Sequence, residues 1–153
     1  MSSERLLPDL AATAALAAEI AAELEPGQVL ALTGELGAGK TAFTRELARA
    51  LEVPAETAVC SPSYLLLNLY DGGRLPVAHF DAYFMDGADD LERAGLDDLR
   101  REGHVVVVEW ADRVPEVLPP DALWIDFELA APPADDAPPA RRVRLSRGAE
   151  PAR

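Results

Sequence analysis

The eight residues Gly34-Glu35-Leu36-Gly37-Ala38-Gly39-Lys40-Thr41 constrain this chain more than any other feature. They form the pattern G-x-x-x-x-G-K-[ST]. Before them runs Val29-Leu30-Ala31-Leu32-Thr33, a short apolar stretch suited to a strand buried on both faces. After them, residues 40–51 carry Phe43, Leu47 and Leu51 at four-residue spacing, which predicts a helix with one apolar face. Strand, glycine loop and helix, in that order, aim successive backbone N–H groups and the positive end of a helix dipole at one anion. Gly34, Gly37 and Gly39 free the loop to turn and let oxygen atoms approach closely. Lys40 is the only lysine, against thirteen arginines. A compact ammonium fits beside the β- and γ-phosphates of a nucleotide where a planar guanidinium is too bulky. The loop therefore predicts binding of a nucleoside triphosphate, with the Thr41 hydroxyl offered to Mg²⁺.

A length of 153 residues predicts a single domain spanning 1–153, with a core sufficient to fold without staples. The one cysteine, Cys60, excludes an internal disulfide and fits a reducing cytosol; it is expected to pack as a small hydrophobe. No secretory leader is expected, and no apolar run reaches the 18 or more residues of a membrane span. The net charge of −13 opposes direct binding to DNA or RNA. The basic cluster Arg141, Arg142, Arg144 and Arg147 falls on what reads as an edge strand. A basic partner, or one that itself carries nucleic acid, remains compatible with so acidic a surface.

Along the chain, residues 8–25 read as an alanine-rich helix with Asp9 as N-cap and Pro26-Gly27 as its stop. Residues 64–70 and 75–80 are strand-like runs joined by Asp71-Gly72-Gly73-Arg74, a hairpin signal. Residues 89–101 are helix-prone and interrupted at Gly95. His104-Val105-Val106-Val107-Val108-Glu109 reads as the most deeply buried strand, followed by a short helical turn near 113–118. Residues 123–129 and 142–145 read as a final strand pair. Residues 131–140 between them are a solvated loop, and 149–153 a tail. This order predicts an α/β fold of the P-loop NTPase type, with a mainly parallel central sheet and antiparallel additions. A nucleotide would lie at the carboxyl ends of the central strands.

Three further places could carry chemistry. Glu109 ends the valine-rich strand, where a second Mg²⁺-binding carboxylate is expected, although an ordinary solvent-exposed strand end reads the same way. Asp81, in His79-Phe80-Asp81-Ala82-Tyr83, either orients the attacking water or caps a turn. His79 is read as a packing residue. Ser61-Pro62-Ser63-Tyr64 is either a switch segment that senses the γ-phosphate or a plain loop.

In this order and spacing the four motifs, ending with Val108-Glu109-Trp110, closely resemble the bacterial TsaE (YjeE) family. Those proteins are small P-loop ATPases required for threonylcarbamoyladenosine (t6A) modification of tRNA. The likeness runs over residues 6–148 and takes in Leu91-Glu92-Arg93-Ala94-Gly95-Leu96 and Arg142-Val143-Arg144-Leu145. It implies ATP and Mg²⁺ as cofactors. Gly37, Ala38, Gly39, Lys40, Thr41 and Ala42 would contact the phosphates, Thr41 and Glu109 would hold Mg²⁺, and Asp81 would be needed for hydrolysis. Lys40, Asp81 and Glu109 thus form the catalytic set. Ser61, Thr13 and Arg142 match positions near the nucleotide, and Trp110 a tryptophan close to the site. The family's H-x-D-x-Y-R ends here in Phe84, with Arg93 and Arg113 as candidate substitutes for the missing arginine, and Ala17 stands where a glycine is frequent.

The resemblance further implies association with TsaD and TsaB, contact with tRNA only through them, and a cytoplasmic location. The leading expectation is a slowly hydrolysing ATPase subunit that reports its nucleotide state to a partner. The alternatives are a small-metabolite kinase built on the same loop, although no lid insertion is visible, and a nucleotide-gated adaptor without meaningful hydrolysis.

Overall fold

In the computed structural model, residues 2–62, 65–130 and 139–151 are described. Strands β1 (Ser2–Leu7), β2 (Val29–Gly34), β3 (Leu67–Tyr70), β4 (Val77–Asp81), β5 (Val105–Glu109), β6 (Leu123–Leu129) and β7 (Arg141–Arg147) form one sheet, ordered β1-β7-β6-β2-β5-β4-β3. The four central strands β6, β2, β5 and β4 are parallel; β3, β7 and β1 are added antiparallel. This is the expected α/β architecture.

The central strands are buried on both faces because their residues alternate between two cores. Leu30, Leu32, Val105 and Val107 enter one core, which helices α1 (Leu10–Glu23) and α2 (Lys40–Ala50) cover with Leu16, Phe43 and Leu47. Val29, Ala31, Val106 and Val108 enter the other, closed by Leu91 of α3 (Ala88–Arg93) and Leu96 of α4 (Leu96–Arg101). Each fully buried leucine or valine contributes about 1.5–3 kcal/mol relative to exposure.

Local signals account for most boundaries. Asp9 caps α1 by accepting the Ala12 N–H at 2.9 Å. Gly95, with φ 96°, separates α3 from α4. Two short 3-10 turns, Ala111–Arg113 and Pro115–Val117, follow β5. The 71–74 turn joins β3 to β4 as a hairpin, but β3 begins at Leu67, later than the run from 64 predicts. Residues 63–64 and 131–138, which hold part of the switch segment and most of the solvated loop, lie outside the described residues.

Two expectations need correction. Ser2–Leu7 is a strand, which the sequence reading missed, and it pairs along β7 from Ser2↔Ser146 to Leu7↔Arg141. The arginine-rich β7 is therefore not the edge of the sheet. Its charges are also engaged: Arg142 meets Glu4 at 3.2 Å, and Arg144 meets Glu4 at 3.2 Å and Glu128 at 3.0 Å. Among the described residues no helix is long and apolar enough to cross a membrane.

Candidate nucleotide site

The loop between β2 and α2 needs glycine for two separate reasons. At Gly34, φ is 128° and an added Cβ would lie 2.3 Å from the Phe127 carbonyl oxygen. At Gly39, φ is 117° and a Cβ would lie 2.7 Å from Cδ of Arg141. Gly39 is also the N-cap of α2, and no side chain caps that helix. The first-turn N–H groups and the positive end of the dipole therefore open toward whatever anion enters.

Lys40 begins α2 and is only 5% exposed. Its Nζ donates to the Gly34 carbonyl and, at 2.9 Å, to the Glu35 carbonyl. It also stands 4.1 Å from the centre of the Trp110 ring, a cation–π contact. Trp110 reaches that place by adopting left-handed backbone, φ 58° and ψ 39°, immediately after β5. Burial pushes the Lys40 ammonium below the ordinary lysine range, and Glu109, Asp112, Asp81 and Asp126 oppose that shift.

Asp81 and Glu109 end neighbouring strands and are paired in register across β4 and β5. Contrary to the expectation of a solvent-exposed strand end, Glu109 is 3% exposed. Thr41 Oγ1 lies 3.2 Å from its Oε1 and 3.4 Å from its Oε2. Asp81 accepts the Ser61 hydroxyl at 2.7 Å on Oδ2 and the Tyr83 N–H at 2.9 Å on Oδ1. A hydroxyl and two carboxylates are hard oxygen donors, which suits Mg²⁺. Among the described residues no group of three or more His, Cys, Asp or Glu is poised for a metal.

These groups line one cleft of about 560 Å³, within the usual range of ligand sites. Of the predicted residues, Gly37, Gly39, Lys40, Thr41 and Ala42 face it from the loop and α2, and Ser61, Asp81, Glu109 and Trp110 from the strand ends. Ala38 is buried beneath the loop and accepts a hydrogen bond from Arg141 Nε at 2.8 Å. Thr13 and Arg142 do not line the cleft. Thr13 is buried in α1 with its hydroxyl 3.5 Å from the Asp9 carbonyl, and Arg142 turns to Glu4 and Glu128. Its neighbour Arg141 takes the place at the loop, because adjacent strand residues point to opposite faces.

Sequence reasoning also missed Arg45, which lines the cleft with no motif to announce it, and gave no role to Tyr83, although it closes the quoted motif beginning at His79. Phe84 lines it too and packs edge-on against Tyr83 at 4.8 Å. Of the two substitutes for the family's arginine, Arg113 stands beside the site, its guanidinium 4.9 Å from the Tyr83 ring centre. Arg93 is 79% exposed and leans toward Asp90. Cys60 is exposed and does not pack as a hydrophobe. His79 is fully buried, yet its ring is hydrogen-bonded at both nitrogens and does more than pack.

Known proteins agree with this geometry. A family profile described as threonylcarbamoyl adenosine biosynthesis protein TsaE matches residues 7–135. The chain is 42% identical over 118 residues to the tRNA threonylcarbamoyladenosine biosynthesis protein TsaE of Bacillus subtilis, covering 77% of this chain and 72% of that one. It is 35% identical over 134 residues to the protein of the same name from Streptomyces coelicolor, covering 86% and 87%. A crystal structure of Bacillus subtilis YdiB superposes with a TM-score of 0.77 at 32% identity, over 97% of this chain and 87% of that one. With the family profile spanning most of its length and the phosphate loop, strand-end carboxylates and sheet order in place, the chain belongs to the TsaE family.

Proposed function

We propose that the chain is a Mg²⁺-dependent ATPase that supports threonylcarbamoyladenosine formation on tRNA in the cytoplasm, acting through TsaD and TsaB and touching tRNA only indirectly. The carrying observation is the meeting of the Lys40 ammonium, the uncapped α2 N-terminus, the Thr41 hydroxyl and two buried carboxylates in one cleft. The relatives' names supply the pathway, and the acidic surface fits an accessory subunit with no tRNA-binding patch of its own.

In this reading Lys40 exchanges the Gly34 and Glu35 carbonyls for β- and γ-phosphate oxygens, while the N–H groups of Lys40, Thr41 and Ala42 cradle the same phosphates. Thr41 and Glu109 hold Mg²⁺, which when bound offsets negative charge on the phosphates. Asp81 accepts a hydrogen bond from the attacking water. Ser61 and the Tyr83 N–H fix the plane of its carboxylate. Catalysis then consists of positioning and charge neutralisation. Because Ser61 is tied to Asp81, loss of the γ-phosphate releases both together, which gives a partner something to sense.

Three measurements test this. Calorimetric titration with Mg·ATP should saturate at one site per chain; absence of heat and of saturation would remove the nucleotide from the proposal. Phosphate release should rise when purified TsaD and TsaB are added, and an ATP-dependent pull-down should retain both. Retention of neither would sink the partner assignment while leaving the ATPase intact. The kinase alternative would instead show a phosphorylated small acceptor after incubation with ATP.

A further inference from the structure

The hydrolysis scheme leaves His79 without a task, although burying an imidazole is costly unless both its nitrogens are satisfied. The side chain is 0% exposed, and a leucine would fill the same space in an apolar core. Its partners show what the imidazole adds. Nε2 lies 2.5 Å from Oε2 of Glu109, while the Thr41 hydroxyl lies nearer Oε1, at 3.2 Å. The ring therefore holds one oxygen of the carboxylate and leaves the other turned toward the hydroxyl at the start of α2.

On its far side, Nδ1 lies 2.9 Å from the Tyr70 hydroxyl, which in turn lies 3.0 Å from the Cys60 carbonyl. A carbonyl can only accept. With one hydroxyl proton, Tyr70 either donates to Cys60 and accepts from Nδ1–H, which with Nε2–H on Glu109 puts a proton on both ring nitrogens, or donates to Nδ1 of a ring protonated at Nε2 alone. Cys60 immediately precedes Ser61, whose hydroxyl donates to Asp81, and Asp81 stands beside Glu109 in register. The path Thr41–Glu109–His79–Tyr70–Cys60 thus returns through Ser61 and Asp81 to its starting carboxylate. It is a run of polar contacts closed by the Cys60–Ser61 peptide bond and by the backbone pairing of Asp81 with Glu109.

We propose that His79 and Tyr70 are positioning residues that lock the Glu109 carboxylate to the backbone at Cys60, so that the metal-facing oxygen and the Ser61 hydroxyl move as one unit. The inference rests on the reading of Glu109 as a Mg²⁺ ligand. Coupling of this kind is reciprocal: metal and triphosphate at Glu109 and Thr41 steady the 60–62 backbone, and a steadied backbone favours the metal. Partners that orient a ligating group characteristically change metal affinity by about 10- to 100-fold when removed.

The test uses the whole chain and exploits Cys60, its single, exposed cysteine, as a reporter. Maleimide labelling of Cys60 is timed with and without Mg²⁺ plus a non-hydrolysable ATP analogue. In the natural protein the complex should slow labelling. In Tyr70→Phe, which keeps the ring and so the packing, labelling of the free protein should be several-fold faster. The slowing by nucleotide should be reduced but not abolished, because Asn68 Nδ2, 3.1 Å from the same carbonyl, still holds it. His79→Ala should weaken Mn²⁺, read by its paramagnetic resonance in the presence of the analogue, by about tenfold. Affinity for the analogue without metal should stay the same, and His79→Gln should recover part of the loss. Identical labelling in Tyr70→Phe and in the natural protein overturns the coupling. So does unchanged Mn²⁺ affinity in a folded His79→Ala while Glu109→Ala weakens it. If Glu109→Ala leaves Mn²⁺ affinity unchanged, the metal assignment fails instead; the labelling of the free protein still decides whether Tyr70 holds the Cys60 backbone.

Discussion

Two clusters of charge sit on the same sheet and obey different physics. At the carboxyl ends of β4 and β5, Lys40, His79, Asp81 and Glu109 are all 5% exposed or less. On β7, Arg142 and Arg144 are 36% and 19% exposed and share Glu4, Asp126 and Glu128 between them. Both contain cations beside carboxylates, but the second is open to water at its arginines, Glu4 and Glu128, with Asp126 alone buried. Buried charges interact through a low effective dielectric and are costly to orphan; exposed pairs are screened and worth little. At the first cluster burial lowers the proton affinity of Lys40; at the second the Glu128 hydrogen bond raises that of Arg144. The pair of clusters separates charge that lines a cleft from charge that ties β1, β7 and β6 together.

The contrast breaks first where chemistry is densest. Asp81→Asn should bind Mg·ATP within a few-fold of the natural protein yet lose about 10²- to 10⁴-fold in turnover, read by single-turnover phosphate release. Equal loss of binding would return Asp81 to the role of a turn cap. Lys40→Ala should weaken ATP by about 10²- to 10³-fold in calorimetry, since two charge-assisted hydrogen bonds go with it.

Lys40 also sets a pH signature. In the empty folded protein it loses its proton below the ordinary lysine range, whereas bound phosphates favour the ammonium. ATP affinity should therefore be flat near neutrality and fall about tenfold per pH unit above the lowered value. Stability of the empty protein should slope the other way. Between the lowered folded pKa and the ordinary unfolded one, the unfolded chain binds the proton more tightly, so stability rises with pH. Chemical denaturation across alkaline pH reads that slope, and its absence in Lys40→Met confirms the source.

Smaller effects separate the two adjacent arginines. Arg141→Ala should weaken ATP by about tenfold, because the Ala38 carbonyl and the outer side of Gly39 lose their support. Arg142→Ala should leave ATP affinity unchanged and cost about 0–1 kcal/mol of stability in urea. A larger loss of nucleotide from Arg142 than from Arg141 would reverse their assignment.

That adjacent pair also shows where the sequence stops being legible. The phosphate loop, the valine-rich β5 and the capped α1 could be read because their signals are local: glycine spacing, an apolar run, Asp9 before an alanine-rich stretch. The place of Asp81 and Glu109 at the cleft could be read because strand ends carry positional meaning in an α/β sheet. Arg141 and Arg142 differ only in which face of β7 each occupies, and parity depends on register with β6, which a lone sequence does not print. Ser2-Ser3-Glu4-Arg5 lacks apolar alternation, so β1 becomes a strand only through its pairing with β7. The tie from Cys60 through Tyr70 to His79 was equally unreadable, since it depends on three segments folding against one another.

The pairing of β1 with β7 imposes an order of events during synthesis. Ser2 to Leu7 leave the ribosome long before Arg141 to Arg147, the strand they pair with. The nascent chain can assemble β2, β5 and β4 while β1 still lacks a mate. Contacts of such long sequence separation are slow to form. β1 must remain available, and unspent on neighbouring chains, until β7 has been made. A slow final folding phase, abolished by deleting residues 2–7, is the kinetic mark this arrangement should leave.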